Sequence, residues 1–177
     1  AIGLSVQGND GDDIVGANFS GNFLSGFTLG GGDGNDTLTF FNSGAALAAG
    51  SANSILGGTG ADTITINLGS NVSVTGASGF VADLGVAGVS AVSGGTAGLQ
   101  GGLIDINLSA AITGQTGAGV FFRGSNSDDV INVSNGDATA GTLGIHNATF
   151  SAESGADTIS LTTQSGGSYS AVAFNAG

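Results

Sequence analysis

The chain has 177 residues, of which 36 are glycine, and it contains no proline, cysteine, methionine or tryptophan. Thirteen acidic residues stand against one arginine, so the formal net charge is −12 at pH 7. This composition argues against binding to nucleic acid or to an anionic membrane, because both need cationic side chains. No apolar run approaches the ~18 residues of a membrane span, whereas a hydrophobic content of 40 % is enough for a folded core.

Short glycine-rich turns that end in aspartate recur along the chain. In chain order they read GNDGDDIVG, GGDGNDTLT, GGTGADTIT, GSNSDDVIN and ESGADTIS, and their aligned aspartates are Asp13, Asp36, Asp62, Asp129 and Asp157. The long gap between the third and fourth turns is divided if Asp83 and Asp105 mark degenerate copies that lack the glycines. The resulting steps of 21–28 residues are typical of an architecture of stacked coils.

Each turn is followed by a run in which apolar and polar residues alternate. Leu38 and Phe40 share one face of such a run, and Thr37 and Thr39 share the other. Second strands precede the turns, as in FLSGFTL, NSILG, VFFRG and SYSAVAF, and no 3.6-residue apolar stripe indicates a helix. We therefore predict an all-β chain: a parallel β-helix, or β-solenoid, of about seven coils with 21–28 residues per coil, in a single domain over residues 1–177.

Both ends of the chain fall within the repeating pattern, so we expect a processed product or a segment of something longer. Unpaired coil ends are exposed sheet edges, which readily pair with other strands. We therefore expect copies of the chain, or further segments of the same protein, to join it end-to-end or laterally.

Two turns, at 31–39 and 57–65, match the pattern G-G-x-G-x-D-x-U-x at every fixed position, where U is a large apolar residue. They resemble the nonapeptide repeats of the RTX family of secreted and surface bacterial proteins. The composition is also similar to that of bacterial, including cyanobacterial, S-layer and giant cell-surface proteins. Family repeats follow each other directly, whereas these occur once per coil, so we expect RTX-like turns on one side of the solenoid only.

The resemblance implies that turn carbonyl oxygens and the aspartate hold Ca²⁺ between adjacent turns. The other three turns depart from the pattern, with Asn9, Ser125, Ser127, Ala152 and Glu153 in place of glycines. Carried over by position, the implied metal ligands are Asp10, Asp13, Gly31, Asp33, Asp36, Gly57, Thr59, Asp62, Asn126, Asp129 and Asp157.

A simpler interpretation is that these residues only turn corners, since glycine, asparagine and aspartate tolerate left-handed backbone. Charge favours the metal. Ten of the thirteen acids lie in the five turns, where stacked coils bring like charges together with almost no cation to compensate them.

The sequence favours a structural role. Arg123 and His146 have no evident catalytic partner, so we predict no catalytic residues and no enzymatic activity. We expect an extracellular, calcium-stabilised module of a bacterial surface layer, filament or large adhesin, with cell-surface polysaccharide as a further partner. The alternative is an adhesin module that binds carbohydrate or ice through outward threonines, and a polysaccharide-degrading β-helix enzyme is the least favoured reading.

Overall fold

The structure, a computed structural model, describes residues 3–20, 26–42, 53–68, 72–74, 80–85, 102–108, 112–114, 120–135, 144–163 and 168–177. Within these ranges every regular element is a β-strand. The fifteen strands are β1 (Leu4–Asp10), β2 (Ile14–Phe19), β3 (Phe27–Asp33), β4 (Thr37–Asn42), β5 (Asn53–Thr59), β6 (Thr63–Leu68), β7 (Val72–Val74), β8 (Phe80–Gly85), β9 (Leu103–Leu108), β10 (Ile112–Gly114), β11 (Val120–Arg123), β12 (Val130–Asn135), β13 (Gly144–Ser151), β14 (Thr158–Thr162) and β15 (Ser168–Asn175).

Two parallel sheets run along the length of the stack. The first contains the path β1-β3-β5-β8-β11-β13-β15, and the second has the order β2-β4-β6-β9-β12-β14. Strands of the two sheets alternate along the chain, so each coil adds one strand to each sheet and pairs in parallel with the coil before it. The predicted all-β, parallel β-solenoid is confirmed.

On the side of the preceding coil, strand β13 pairs with two strands, β10 and β11, and this gives the coil a third, short side. Its end, 148–151, pairs with β11, whereas Ile145 and His146 pair with β10, which pairs in turn with β7. The two ladders meet at Asn147, which has a φ of 52°, and the equivalent residue Ala171 in β15 has the same φ. Left-handed backbone at this position therefore turns the chain from the third side onto the first sheet.

The interior consists of columns of apolar side chains. Leu38 and Phe40 are fully buried and Thr37 is exposed, as the alternation in the sequence predicts. Leu38 pairs in register with Ile64 of the next coil, and Ile64 pairs with Ile104 of the coil after that. Burial of each such side chain contributes about 1.5–3 kcal/mol, and a slip of one residue would turn the whole column outward. The apolar pattern therefore fixes the register between coils.

An aromatic column reinforces the later coils. Phe122, Phe150 and Phe174 follow each other in register on β11, β13 and β15. Their rings are stacked, with centroids 4.9 Å apart for the first pair and 5.2 Å apart for the second. Stacked aromatic pairs add a further 0.5–1.5 kcal/mol or so beyond the burial of their area.

The proposed division of the long gap between the third and fourth turns is wrong. Asp83 lies on β8 of the first sheet and Asp105 on β9 of the second, so the two residues belong to one coil. Both occupy strand positions and neither marks a turn. An isolated aspartate in an apolar run looks the same in the sequence whether it lies in a turn or in a strand. Only the pairing between coils distinguishes the two positions.

Gly102 holds the turn position in this coil. Leu103 pairs with Thr63, which places Gly102 where the preceding coil has Asp62. The step from Asp62 to Gly102 is 40 residues, well outside the expected 21–28. Among the described residues the first sheet's path has seven strands and the second sheet has six, so at most six complete coils are described, fewer than the predicted count of about seven.

We expect the substitution Gly60→Ala to weaken the stack strongly. Gly60 has a φ of +132°, and a Cβ on it would collide with the carbonyl oxygen of Gly34 in the adjacent coil. The free energy of unfolding should fall by about 2 kcal/mol or more, because a left-handed alanine adds strain to the collision.

Gly16→Ala is the matched control for this substitution. Gly16 is exposed on β2, and the atom nearest to its Cβ would be the carbonyl oxygen of Thr39, 4.0 Å away. Its effect should stay within about 0.5 kcal/mol. Urea unfolding curves measure both variants, and equal midpoints would show that the turn geometry described here is incorrect.

Candidate functional site

Within the described ranges, five six-residue turns carry the chain from the first sheet to the second, at 8–13, 31–36, 57–62, 124–129 and 152–157. Numbered from one to six, their positions align from coil to coil. Left-handed backbone recurs at position two, in Asn9, Gly32, Gly58 and Glu153, and at position four, in Gly11, Gly34, Gly60 and Gly155. Glycine at position four therefore has a conformational cause in the four turns that share this path.

The position-six aspartates join each coil to the one before it. The N–H of Asp13 donates a hydrogen bond to Oδ1 of Asp36 at 2.8 Å, and the N–H of Asp36 donates to Oδ1 of Asp62 at 2.9 Å. The later coils repeat this bond, from Gly102 to Asp129 at 2.7 Å and from Asp129 to Asp157 at 2.8 Å. Hydrogen bonds to a charged acceptor are worth about 1.5–3 kcal/mol each. This aspartate ladder therefore shows a structural role for the turn aspartates that needs no metal, namely to join adjacent coils.

Position five carries a second ladder that runs in the opposite direction. The N–H of Asn35 donates to Oδ1 of Asp12, and the N–H of Ala61 donates to Oδ1 of Asn35, both at 2.8 Å. The N–H of Ala156 donates in the same way to Oδ1 of Asp128 at 2.8 Å. The implied ligand set assigns no role to these residues. The sequence feature that indicates this ladder is an aspartate or asparagine directly before the position-six aspartate.

The second carboxylate oxygen lacks a partner in four of the turns. Among the described residues, no hydrogen-bond donor reaches the buried Oδ2 atom of Asp13, Asp36, Asp62 or Asp157. Asp36 and Asp62 are each only 1 % exposed. A buried charged oxygen without a partner is costly, and either a proton or a cation relieves that cost.

Backbone carbonyl oxygens of the next coil lie beside these unpartnered oxygens. A Cβ built on Gly8 would lie 2.6 Å from Oδ2 of Asp13 and 2.5 Å from the carbonyl oxygen of Gly31. A Cβ on Gly31 would collide in the same way with Oδ2 of Asp36 and the carbonyl oxygen of Gly57. Glycine at position one therefore leaves room for oxygens from two adjacent coils to converge.

The position-three residues of the implied ligand set form a separate, more exposed column. Asp10 is in register with Asp33, and Asp33 with Thr59. The Thr59 hydroxyl donates to Oδ1 of Asp33 at 3.0 Å. Asn126, at the same position of its turn, is exposed. The structure thus brings position-six carboxylates together with position-one carbonyls, and it places the position-three groups on the outside of the turns.

Oxygen chemistry at the turns suits a calcium ion. Among the described residues, no group of three or more aspartate, glutamate, histidine or cysteine side chains is arranged to hold a metal. A cation here would therefore depend on backbone carbonyls as well as carboxylates, and Ca²⁺ accepts both with flexible geometry. The unpartnered oxygens of Asp36 and Asp62, each beside a carbonyl oxygen, fit that requirement.

Burial perturbs the acids of the turns. Removal from water raises the pKa of Asp62 to about 6, although the N–H of Asp36 opposes the change, and the charge of Asp36 adds to it. Burial also raises the pKa of Asp129. Ionisation of these carboxylates is therefore unfavourable, because burial leaves the charged form poorly solvated.

A further buried acid lies outside the turns. Asp83 is 5 % exposed on β8, and burial raises its pKa to about 6, with Glu153 adding to the shift. The N–H of Gly85 donates to Asp83 at 3.2 Å, and this bond and the charge of Arg123 lower the same pKa. The guanidinium of Arg123 also lies 5.5 Å from the ring centre of Phe121. Asp83 is thus a buried group that the sequence pattern does not reveal.

The histidine does not lie at the turn positions of its coil. His146 lies on the third side of the coil, and its Nδ1 is 2.7 Å from Oγ of Ser170 on β15. Both side chains stand on neighbouring strands of one ladder, so their contact joins two coils.

Comparison of the chain with family models, with curated proteins and with solved structures yields no match in any of the three. Within the described part of the chain, no helix has the length and apolar character needed to cross a membrane.

We expect the metal-free chain to be more stable at pH 5 than at pH 7.5. A carboxyl whose folded pKa lies above its ordinary value of 3.8 stabilises the fold below that value, and the contribution is lost as pH rises through about 6. Asp62 and Asp83 should each account for about 1 kcal/mol over this interval, since one pKa unit corresponds to ~1.4 kcal/mol. Urea unfolding in a chelating buffer at the two pH values measures the difference.

Asp83→Asn separates the two contributions. The asparagine keeps an oxygen that can accept from the N–H of Gly85 and removes the charge. The variant should lose the contribution of Asp83, about 1 kcal/mol of the difference between pH 5 and pH 7.5, and it should gain stability at the higher pH. A wild-type pH dependence in this variant would contradict the burial of an ionised Asp83.

Proposed function

We propose that this chain is an extracellular structural protein, a calcium-stabilised β-solenoid module that belongs to a bacterial surface layer, filament or large adhesin. The observation that carries this proposal is the row of buried carboxylate oxygens without a partner in the turns, at Asp13, Asp36, Asp62 and Asp157. Calcium is the cation proposed, because each of the first turns also presents carbonyl oxygens and the ligands are all oxygen.

The proposed mechanism is stiffening by calcium. Without a cation, the carboxylates of successive turns repel each other and remain unsolvated, so the turns stay loose. Calcium at the extracellular, millimolar range suits weak sites of this kind and would join neighbouring coils. The proposed carboxylate ligands are Asp13, Asp36 and Asp62, with the carbonyl of Gly31 beside Asp13 and that of Gly57 beside Asp36. The exposed position-three groups, Asp33 among them, are available as outer ligands.

Self-association is part of the proposed role. Within the described residues, β2 and β14 each pair on one side only. Unpaired parallel edges of a solenoid are suited to pairing with like strands. We propose copies of the chain, or further segments of the same surface protein, as partners at these edges, and cell-surface polysaccharide as a possible lateral partner.

A recognition module that binds carbohydrate or ice is the second candidate. Thr37 and Thr39 are in register with Thr63 and Thr65 on the outer face of the second sheet. This regular patch favours a flat ligand, but it covers only two coils. The next coil has Leu103 in register with Thr63. We propose no catalytic role, because the sequence offers no evident catalytic partner for Arg123 or His146.

Calcium should raise the stability of the chain at pH 7.5 by about 1–3 kcal/mol for each occupied site, as expected for sites filled well above their dissociation constants. The double variant Asp36→Asn/Asp62→Asn should lose most of this increase, because asparagine can keep the Oδ1 acceptor of the ladder and removes the charged ligand. Thermal unfolding by circular dichroism, from chelator into 10 mM or so of calcium, measures both chains.

Asp128→Asn is the matched control for the double variant. Asp128 is an exposed acid of a different turn, 124–129, and asparagine can still accept from the N–H of Ala156. This variant should keep the full response to calcium, and magnesium should not replace calcium in the wild type. The calcium mechanism is wrong if the wild-type chain is equally stable in chelator and in calcium.

Assembly should follow the same titration. We expect light scattering of the wild-type chain to rise with calcium and to fall again on chelation, and the double variant to remain unassembled. A chain that stays monomeric in calcium but binds an insoluble polysaccharide or slows ice growth would favour the recognition module instead.

A further inference from the structure

We propose that Ser125 replaces the cation in the turn 124–129, so that this turn is locked without metal while the turns at Asp13, Asp36 and Asp62 depend on it. This inference rests on the proposed calcium function and divides the turns into two classes. Ser125 is the residue that decides to which class its turn belongs.

The contacts of Asp129 differ from those of the other turn aspartates. Its Oδ1 accepts from the N–H of Gly102 at 2.7 Å, as the ladder requires. Its Oδ2 accepts from the N–H of Ser125 at 2.5 Å and from the hydroxyl of the same residue at 3.0 Å. Both carboxylate oxygens are therefore occupied by protein donors, although Asp129 is only 1 % exposed.

The backbone path of this turn explains why the donors are available. Four turns have left-handed backbone at positions two and four, whereas Ser125 and Ser127 do not. On this different path the N–H of Ser125 points at the carboxylate four residues later, and the N–H of Ser127 donates to the Ser125 hydroxyl at 3.2 Å. Serine in place of glycine therefore adds a hydroxyl donor within a turn that also presents its own N–H.

A cation would have to displace these donors to reach Asp129. Such a displacement would leave the partly buried N–H of Ser125 without its acceptor, which opposes binding. The Oδ2 atoms of Asp36 and Asp62 have no such donors among the described residues, so a cation meets no competing N–H or O–H there. Asp129, although implied as a ligand by its position in the sequence, is on this basis held by Ser125 instead of calcium.

The metal-free turn joins two coils on either side of it. Gly102 donates to Asp129, and Asp129 donates to Asp157. The coils of Gly102 and Asp129 should therefore stay paired in the absence of calcium, whereas the coils that contain Asp13 and Asp36 should loosen. The solenoid would contain a permanently ordered segment beside one that orders when calcium is present.

Amide hydrogen exchange of the full chain in chelator and in calcium tests this division. The reporter amides are the ladder donors: Asp13 and Asp36 in the calcium-dependent turns, and Gly102 in the metal-free turn. Calcium should increase the protection of the first two by tenfold or more and change that of Gly102 by less than twofold. An equal increase at all three amides would overturn the role of Ser125.

Variants of Ser125 complete the test. Ser125→Gly restores the glycine of the other turns and should make protection at Gly102 depend on calcium and add one bound calcium per chain in equilibrium dialysis. Ser125→Ala removes only the hydroxyl and should lower the protection of Gly102 in chelator by tenfold or more. Ser127→Ala is the matched control, because it keeps the N–H that donates to Ser125, and it should leave Gly102 unchanged.

Comparison of the measurements in chelator and in calcium distinguishes a failure of this inference from a failure of the proposed calcium function. If calcium changes no amide in the wild type, the calcium function fails, whatever the serine variants do. If calcium protects Asp13 and Asp36 but both Ser125 variants behave as wild type at Gly102, the calcium function stands and the role of Ser125 is wrong.

Discussion

The hydrogen bond from the N–H of one turn to the aspartate of the next coil is the interaction on which the stack depends. It places a carboxylate group, with 1 % exposure at Asp36 and Asp62, between adjacent coils. At Asp36, Asp62 and Asp157 the bond satisfies one carboxylate oxygen and leaves the other without a partner among the described residues. Because a buried carboxylate is expensive to leave half-satisfied, the same residue that joins the coils also creates a demand for positive charge. Corner and metal site are therefore two consequences of one arrangement.

The two ladders of the turns have different physical characters. The position-five ladder uses exposed side chains such as Asp12 and Asp128, whose charges water solvates, and it runs opposite to the buried ladder. Together they hold each turn from both neighbouring coils. The buried ladder is the one whose strength depends on protons or cations, since its acids have lost their water. The apolar core fixes the register of the coils, whereas the hydrogen bonds of the turns determine how firmly adjacent coils are joined.

Differences between turns matter more than the repeat itself. Gly102 interrupts the column of aspartates, and Ser125 supplies donors that the other turns lack. A uniform array of metal turns would respond to calcium as one unit, whereas an interrupted array can keep one part ordered. Near-identical repeats are approximately additive in stability, with each coil contacting only its neighbours. A departure from the repeat at one turn therefore affects mainly the coils next to it. Such departures make some parts of the solenoid differ in stability from others, which the composition alone does not indicate.

The sequence by itself determined the chain class, the parallel coils, the inward Leu38 and Phe40 column and the five aspartate turns, because these depend on short-range patterns of period two and on the conformational needs of glycine. It could not place Asp83 and Asp105, which look alike locally and fall on different sheets, nor the third side that begins before Asn147. Neither could it show that Ser125 completes Asp129 or that Asp36 lacks a second partner. The ladder bonds join residues 23–28 positions apart, so their register is decided by the packing of whole coils. Only the tertiary structure fixes which oxygens are satisfied, since that depends on which coil lies next to which.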